Sequence, residues 1–344
     1  MTDSIGLLQH ATYAVANREF GYCVDDNARG LLFTTYVESQ EHLNFGLAKE
    51  QGVYLEFVRK AFNPENGRFR NFMNEAGAWV EEQGSDDSHS RTLWCLGSAI
   101  HRTRSEEHRK LAIHLFSEAS KAMYSIHSPR SWAYAILAAD EYLAQLPGTP
   151  YVHELLVEMA SRLWREYRIC AAPDWLWFED VVSYANARLC QAMMIAGDLL
   201  AKPKMLNGGL ESLQWLMANQ RSKNDYFAPI GSNGFWKRGG ERAWFDQQPL
   251  EAWCSVSACI RAEKITGDET WGEHARYAFA WFFGKNDLET AVCDPLTGGC
   301  RDGLHPDRVN ENQGAESTLS FLCSEAEMKA AYGSPFKSSE AILF

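Results

Sequence analysis

Apolar residues recur along this chain at the three-and-four spacing of an α-helix, almost from one end to the other. The pattern predicts helices over about 26–39, 44–62, 87–103, 106–126, 129–145, 150–168, 180–200, 206–220, 247–265, 269–285 and 313–331. Two short hairpins are expected where aromatic residues flank Gly or Asn turns, at Arg68–Gln83 and Tyr226–Arg238. The helices alternate in kind. One set is apolar all round, as in ARGLLFTTYV, TLWCLGSAI, SWAYAILAA and LEAWCSVSACI, and such helices are buried. The other set is amphipathic and charged, as in VHELLVEMASRLWREY, and meets water on one side. Buried and surface helices taking turns is the requirement of an all-α (α/α)6 toroid, an inner ring of helices wrapped by an outer one. No low-complexity linker interrupts the pattern, so residues 1–344 are read as one domain. Eleven helices are clear, and Ser4–Ala11 is the candidate for a twelfth.

Each apolar helix opens with a polar cluster: DDNAR at 25–29, DDSHSR at 86–91, SPR at 128–130, EDVVSYANAR at 179–188, FDQQPLEA at 245–252 and NENQGAES at 310–317. Pro129 and Pro249 stand where a first helical turn tolerates proline. If the six buried helices run parallel, the six clusters meet at one end of the ring and line a cup. Any one Asp or Ser there can be read as an N-cap. Capping needs a single short side chain, however, not adjacent carboxylates with Arg and Asn, and buried polar groups are costly unless partnered or solvated. The six together therefore point to a ligand.

Composition narrows its class. The net charge is −12 with no basic run, which argues against nucleic acid. The nine cysteines show no metal spacing or pairing logic, and the start lacks a signal-peptide pattern. Reduced thiols in a cytoplasmic protein are expected, with no stretch long enough to span a membrane. The 12 Trp, 13 Tyr and 18 Phe suit either a core or a surface that stacks on sugar rings.

Adjacent carboxylates such as Asp25–Asp26 and Asp86–Asp87 can split into a protonated acid and an ionised partner, the two roles glycoside hydrolysis needs. Asp26 and Asp87 are the leading catalytic candidates, with Glu251 and Glu316 behind them. Arg29, Arg91, Arg130 and Arg188 recur shortly after the clusters begin and are expected to orient carboxylates. Further candidates for contacts with sugar are Asn27, Glu179, Asp180, Tyr184, Asn186, Asp246, Gln247, Gln248, Asn312 and Gln313. Trp175, Trp177, Phe235 and Trp236 are candidates for stacking, and some of these aromatics must be core. DDNARGL at 25–31 and YANARLC at 184–190 share Asn-Ala-Arg, which puts Ala185 in the place of Asp26 and suggests a lost carboxylate. Among the histidines only His89 sits in a cluster; His10, His127 and His305 read as structural or incidental.

The strings GLLQHATYAVANREFGYCVDDNARGLL, FDQQPLEAW and NQGAEST resemble a helical domain found fused to, or encoded beside, bacterial glycosyltransferases. That resemblance spans the whole chain and implies YDNAR where this chain has YANAR. More broadly the chain is similar to the six-hairpin glycosidases, whose active sites lie at the open end of the inner helices and whose α-mannan-cleaving members use adjacent Asp pairs. The expectation is a glycoside hydrolase without metal or cofactor, inverting, acting on a mannose- or glucose-containing oligosaccharide, with a glycosyltransferase as a partner. A sugar epimerase or isomerase, a phosphorylase and a non-catalytic glycan-binding domain share such a fold and stay open.

Overall fold

The computed structural model describes residues 1–40 and 46–333. Its helices are α1 (Val24–Glu38), α2 (Ala48–Ala61), α3 (Asp86–Arg102), α4 (Glu106–Ala119), α5 (Pro129–Gln145), α6 (Pro150–Cys170), α7 (Asn186–Leu199), α8 (Pro203–Asn219), α9 (Pro249–Thr266), α10 (Thr270–Ala280) and α11 (Ala315–Tyr332). The first two residues of the helix expected at 44–62 lie outside the described residues. The odd-numbered helices close a ring in which α1 packs on α3, α3 on α5, α5 on α7, α7 on α9, α9 on α11 and α11 on α1. Each even-numbered helix packs outside the inner helix before it. The chain is an all-α (α/α)6 toroid, with six inner and five outer helices among the described residues.

Burial follows the two kinds of sequence. Every residue of α7 from Asn186 to Gly197 is buried, because this helix touches α5, α6, α8 and α9. In α6 only one stripe is buried, including Val152, Leu155, Met159 and Leu163. That is the spacing of a helix with water on one side. Pro129 and Pro249 occupy first turns, and Ser85 and Ser128 cap α3 and α5 through their side chains. The Asp pairs thus stand in first turns without serving as those caps.

Three expectations are corrected. Ser4–Ala11 is not a helix: the Asp3 carboxylate accepts from the N–H groups of Ile5 and Gly6, a turn that holds the backbone out of the helical path. The segment then pairs as Ala11–Thr12 with Val15–Ala16. The helix expected from 180 begins only at Asn186, since Val181–Val182 is extended and pairs with Trp236–Lys237. That pairing also replaces the hairpin expected within Tyr226–Arg238. At Arg68–Gln83, Met73 does bridge to Trp79, while Phe72–Met73 also pairs with Tyr22–Cys23.

All nine cysteines are free thiols. Among the described residues no helix is long and apolar enough to cross a membrane.

Inner helices approach closely where a side chain is missing. A Cβ on Gly97 of α3 would lie 2.5 Å from the carbonyl oxygen of Ala138 on α5. That neighbour is backbone in a packed ring and cannot swing aside. Gly97→Ala is therefore expected to lower unfolding free energy by about 1–3 kcal/mol despite the better helix propensity of Ala. Chemical denaturation measures this, and an unchanged or raised midpoint would show that the α3–α5 contact has slack.

Candidate active site

The first turns of the inner helices converge as the clusters require. Between them lies a cup of two lobes, about 580 Å³ and 360 Å³ in volume. Asp25, Gln248 and Glu316 line both lobes. The larger lobe adds Asp86, Asp87, Arg91, Tyr184 and Phe235. The smaller adds His10, Cys23, Asp26, Arg29, Phe72 and Asp302. Helix N-termini carry partial positive charge, so a ring of them favours carboxylates at this end.

Four buried arginines hold the carboxylates in place. Arg29 donates to Asp26 at 2.9 Å and, from its other terminal nitrogen, to Glu316. Arg91 donates to Asp25 at 2.5 Å and to the Tyr134 hydroxyl at 3.2 Å. Arg68 donates to Asp86 at 2.8 Å. Arg130 donates to Glu179 at 2.5 Å and also reaches the Tyr184 carbonyl and the Ser183 hydroxyl. Asp87 is held by hydroxyls instead: Ser128 at 3.3 Å and Ser131 at 3.2 Å on one oxygen, Tyr184 at 2.5 Å on the other. Asp26 differs from the rest. Burial pushes its carboxyl up to about 6, against the opposing pull of Arg29. The Cys23 thiol donates to its second oxygen at 3.1 Å.

Glu251 is brought close to α7 but lines neither lobe. Its carboxyl accepts from the N–H of Ala185, from the N–H of Asn186 at 3.2 Å and from the Asn186 amide at 2.9 Å. It therefore closes the N-terminus of α7 from a neighbouring helix, and burial raises its pKa to about 7. Ala185 is fully buried beside it and has φ 48°, a left-handed backbone that Asp and Asn adopt more readily than Ala.

Other expected contacts are placed elsewhere. Trp175 and Trp177 are core: both are buried and pack against Trp215, which Trp236 stacks at 5.2 Å. Asn27 is fully buried and bonds to the backbone of Leu7 and Cys23. Gln247 ties Trp244, Asp287 and Trp281 together. Gln313 and Asn312 hold surface loops through Asp294, Thr297 and Tyr13. Asp180 is exposed and faces Arg238 at 3.8 Å. Asp246 pairs with His305 at 2.5 Å, outside both lobes. Among the described residues Arg188 hydrogen-bonds to no carboxylate; it donates to the Gln191 amide, and its guanidinium lies 4.6 Å and 4.4 Å from the ring centres of Trp94 and Trp253. The histidines exchange roles. His89 is buried against the Ala119 carbonyl, with its pKa pushed down to about 3, whereas His10 lines the smaller lobe. Tyr134, Ser128 and Ser131, which the clusters did not single out as ligands of Arg91 and Asp87, complete the frame. Among the described residues no three His, Cys, Asp or Glu side chains are grouped as a metal ion needs.

No protein-family model and no curated protein matches the sequence. Solved structures do match. A sugar epimerase from a ruminal bacterium is similar over 96% of this chain and 93% of its own, at 14% identity and a TM-score of 0.72. An α-mannanase of Bacteroides thetaiotaomicron is similar over 91% and 87%, at 10% identity and 0.64. A cellulase of C. cellulolyticum is similar over 95% and 88%, at 9% identity and 0.63. At such identities the likeness carries the fold and nothing finer.

The Glu251 geometry sets a pH dependence of stability. Below its unfolded value near 4.5 the group is protonated in both states. Between there and about 7 only the unfolded chain releases the proton, so stability falls as pH rises, by on the order of 3 kcal/mol from this group. Glu251→Gln, measured by denaturation at pH 4.5 and pH 7.5, is expected to flatten that fall; an unchanged slope would contradict a buried, proton-retaining Glu251.

Proposed function

We propose that this chain is a glycoside hydrolase acting on a mannose- or glucose-containing oligosaccharide, with carboxylates as acid and base and with inversion at the anomeric carbon. The observation that carries the reading is the division of the cup. Asp26 lines one lobe and Asp87 the other, with Asp25, Gln248 and Glu316 shared between them. A sugar chain crossing the shared residues has a carboxyl group on either side of its glycosidic bond, as hydrolysis requires.

Asp26 is the acid. Its burial lets it keep a proton up to about pH 6 and deliver it to the leaving oxygen as the glycosidic C–O bond breaks. Arg29 keeps the resulting carboxylate compensated. Asp87, fixed by three hydroxyls, takes a proton from the water that attacks the anomeric carbon. Phe235 and Tyr184 on one side and Phe72 on the other offer ring faces to sugar C–H surfaces. Asp26→Asn and Asp87→Asn are each expected to lower kcat by about 10²–10⁴-fold with little change in KM. Parent activity should fall as pH rises through about 6, when the Asp26 proton is lost. Full activity in either variant, read by chromatography of released sugar, sinks the assignment.

Ala185→Asp belongs in the same assay, with and without phosphate. Its register with Asp26 and its left-handed backbone both suit an Asp. Faster product release than from the parent chain is expected. Equal rates would mean that the shared Asn-Ala-Arg strings have no catalytic meaning.

The second reading is a sugar epimerase, favoured by one observation: His10 lines the lobe that also holds Asp302 and Glu316, where a proton-transferring group would stand. Solvent deuterium entering a free sugar, lost in His10→Ala, would put that reading first.

A further inference from the structure

The ring has a second mouth. At the C-terminal ends of the six inner helices lies a cavity of about 550 Å³, within the range of small-molecule sites, and a neighbouring one of about 430 Å³ shares Arg102, Asp140, Glu141, Arg261 and Lys264 with it. It is separate from the cup. Trp94 stacks on Tyr134 at 5.9 Å and on Trp253 at 5.8 Å, with the Arg188 guanidinium against Trp94 and Trp253. Tyr134 bonds to cup-lining Arg91, and Trp94 lines the second mouth, so this buried stack stands between the two.

We propose that the second mouth is a binding site for a neutral polyhydroxy ligand, a mono- or disaccharide. Each carboxylate in the lining of the larger cavity has a partner, and the four of them outnumber its three cations, Arg102, Arg261 and Lys264. Arg102 holds Glu141 at 2.8 Å and Arg261 holds Asp140 at 3.0 Å. Tyr332 donates to Glu263 at 2.5 Å, and Glu327 takes the Trp253 indole at 2.9 Å and the Ser257 hydroxyl at 2.6 Å. A cation would have to compete with Arg102 and Arg261 for their partners, and an anion would meet the surplus of carboxylate and the negative ends of six helices.

The lining also carries uncharged groups that donate and accept. Gln191 is 8% exposed, and its amide oxygen takes Arg188 at 2.7 Å. The residue lines the cavity. Gln40 lines it too, with its amide nitrogen on the Tyr36 and Ala326 carbonyls. Tyr36, whose hydroxyl can donate and accept, lines the same space. Ligand hydroxyls answer donors and acceptors alike. Leu137, Ile195 and Ile260 supply the apolar wall that a sugar's C–H face needs.

The test is isothermal titration of the whole chain with mannose, glucose and their disaccharides, repeated on Gln191→Leu and on Ile260→Trp, which fills the cavity from the other wall. Both residues lie outside the cup. Expected is a saccharide whose binding weakens at least about tenfold in both variants, while Asp25→Ala, a cup variant, leaves that binding in place. Inorganic phosphate should give no heat at this site. Saccharide binding unchanged by both cavity variants, absence of any binding that survives Asp25→Ala, or phosphate binding that Ile260→Trp abolishes would each overturn the proposal. Absence of cup binding in the parent chain, with binding at the second mouth intact, would count against the glycosidase reading and not against this one.

Discussion

Six helices packed side by side in a closed ring, each joined to the next through an antiparallel outer helix, must all present the same end to the same side. This geometric constraint organises the rest of the molecule. It gathers six first turns at one mouth and six last turns at the other, so the two mouths have opposite fields. Residues far apart in the chain become neighbours only through ring closure. Arg29 on α1 reaches Glu316 on α11, and Arg91 on α3 reaches Asp25 on α1. The packing that permits closure is tight, as the contact of Gly97 with α5 shows.

Carboxylates at the N-terminal mouth gain from the helix dipoles but lose solvent, and the balance differs from one to the next. Asp87 stays at the wall of a wide lobe, braced by hydroxyls. Asp26 is pressed against the base of α1, where burial outweighs Arg29 and favours its protonated form. Glu251 goes one step further. It is withdrawn from the cup altogether, and its lone pairs satisfy backbone N–H groups that α7 would otherwise leave orphaned. Three carboxylates of similar sequence context thus end in three distinct environments.

Much of the architecture is legible in the sequence because helix burial is written in local periodicity. The apolar strings mark the inner helices, Pro129 and Pro249 mark their starts, and the polar clusters fall at one mouth. What escapes is set by distant partners. Nothing near Trp236 shows that it pairs with Val181–Val182, so a local hairpin was the natural expectation. Trp175 and Trp177 have the composition of a sugar platform and the environment of a core, which composition alone does not separate. Arg188 follows Asn-Ala-Arg as Arg29 does. Yet Arg29 lies on the cup while Arg188 is caught between two tryptophans, because the neighbours of α1 and α7 differ. His10 reaches the cup on a segment that the helical pattern misreads, and the turn signal at Asp3 was the available clue.

The central claim is that the two-lobed cup is where carbohydrate meets carboxylates. The most direct measurement is a crystal structure of the chain with a non-hydrolysable manno- or gluco-oligosaccharide at saturating concentration. The account predicts sugar rings in both lobes, with the inter-residue oxygen over Asp25, Gln248 and Glu316 and between Asp26 and Asp87. A cup without sugar under conditions where the chain demonstrably binds it, with density only at another surface, would contradict the account.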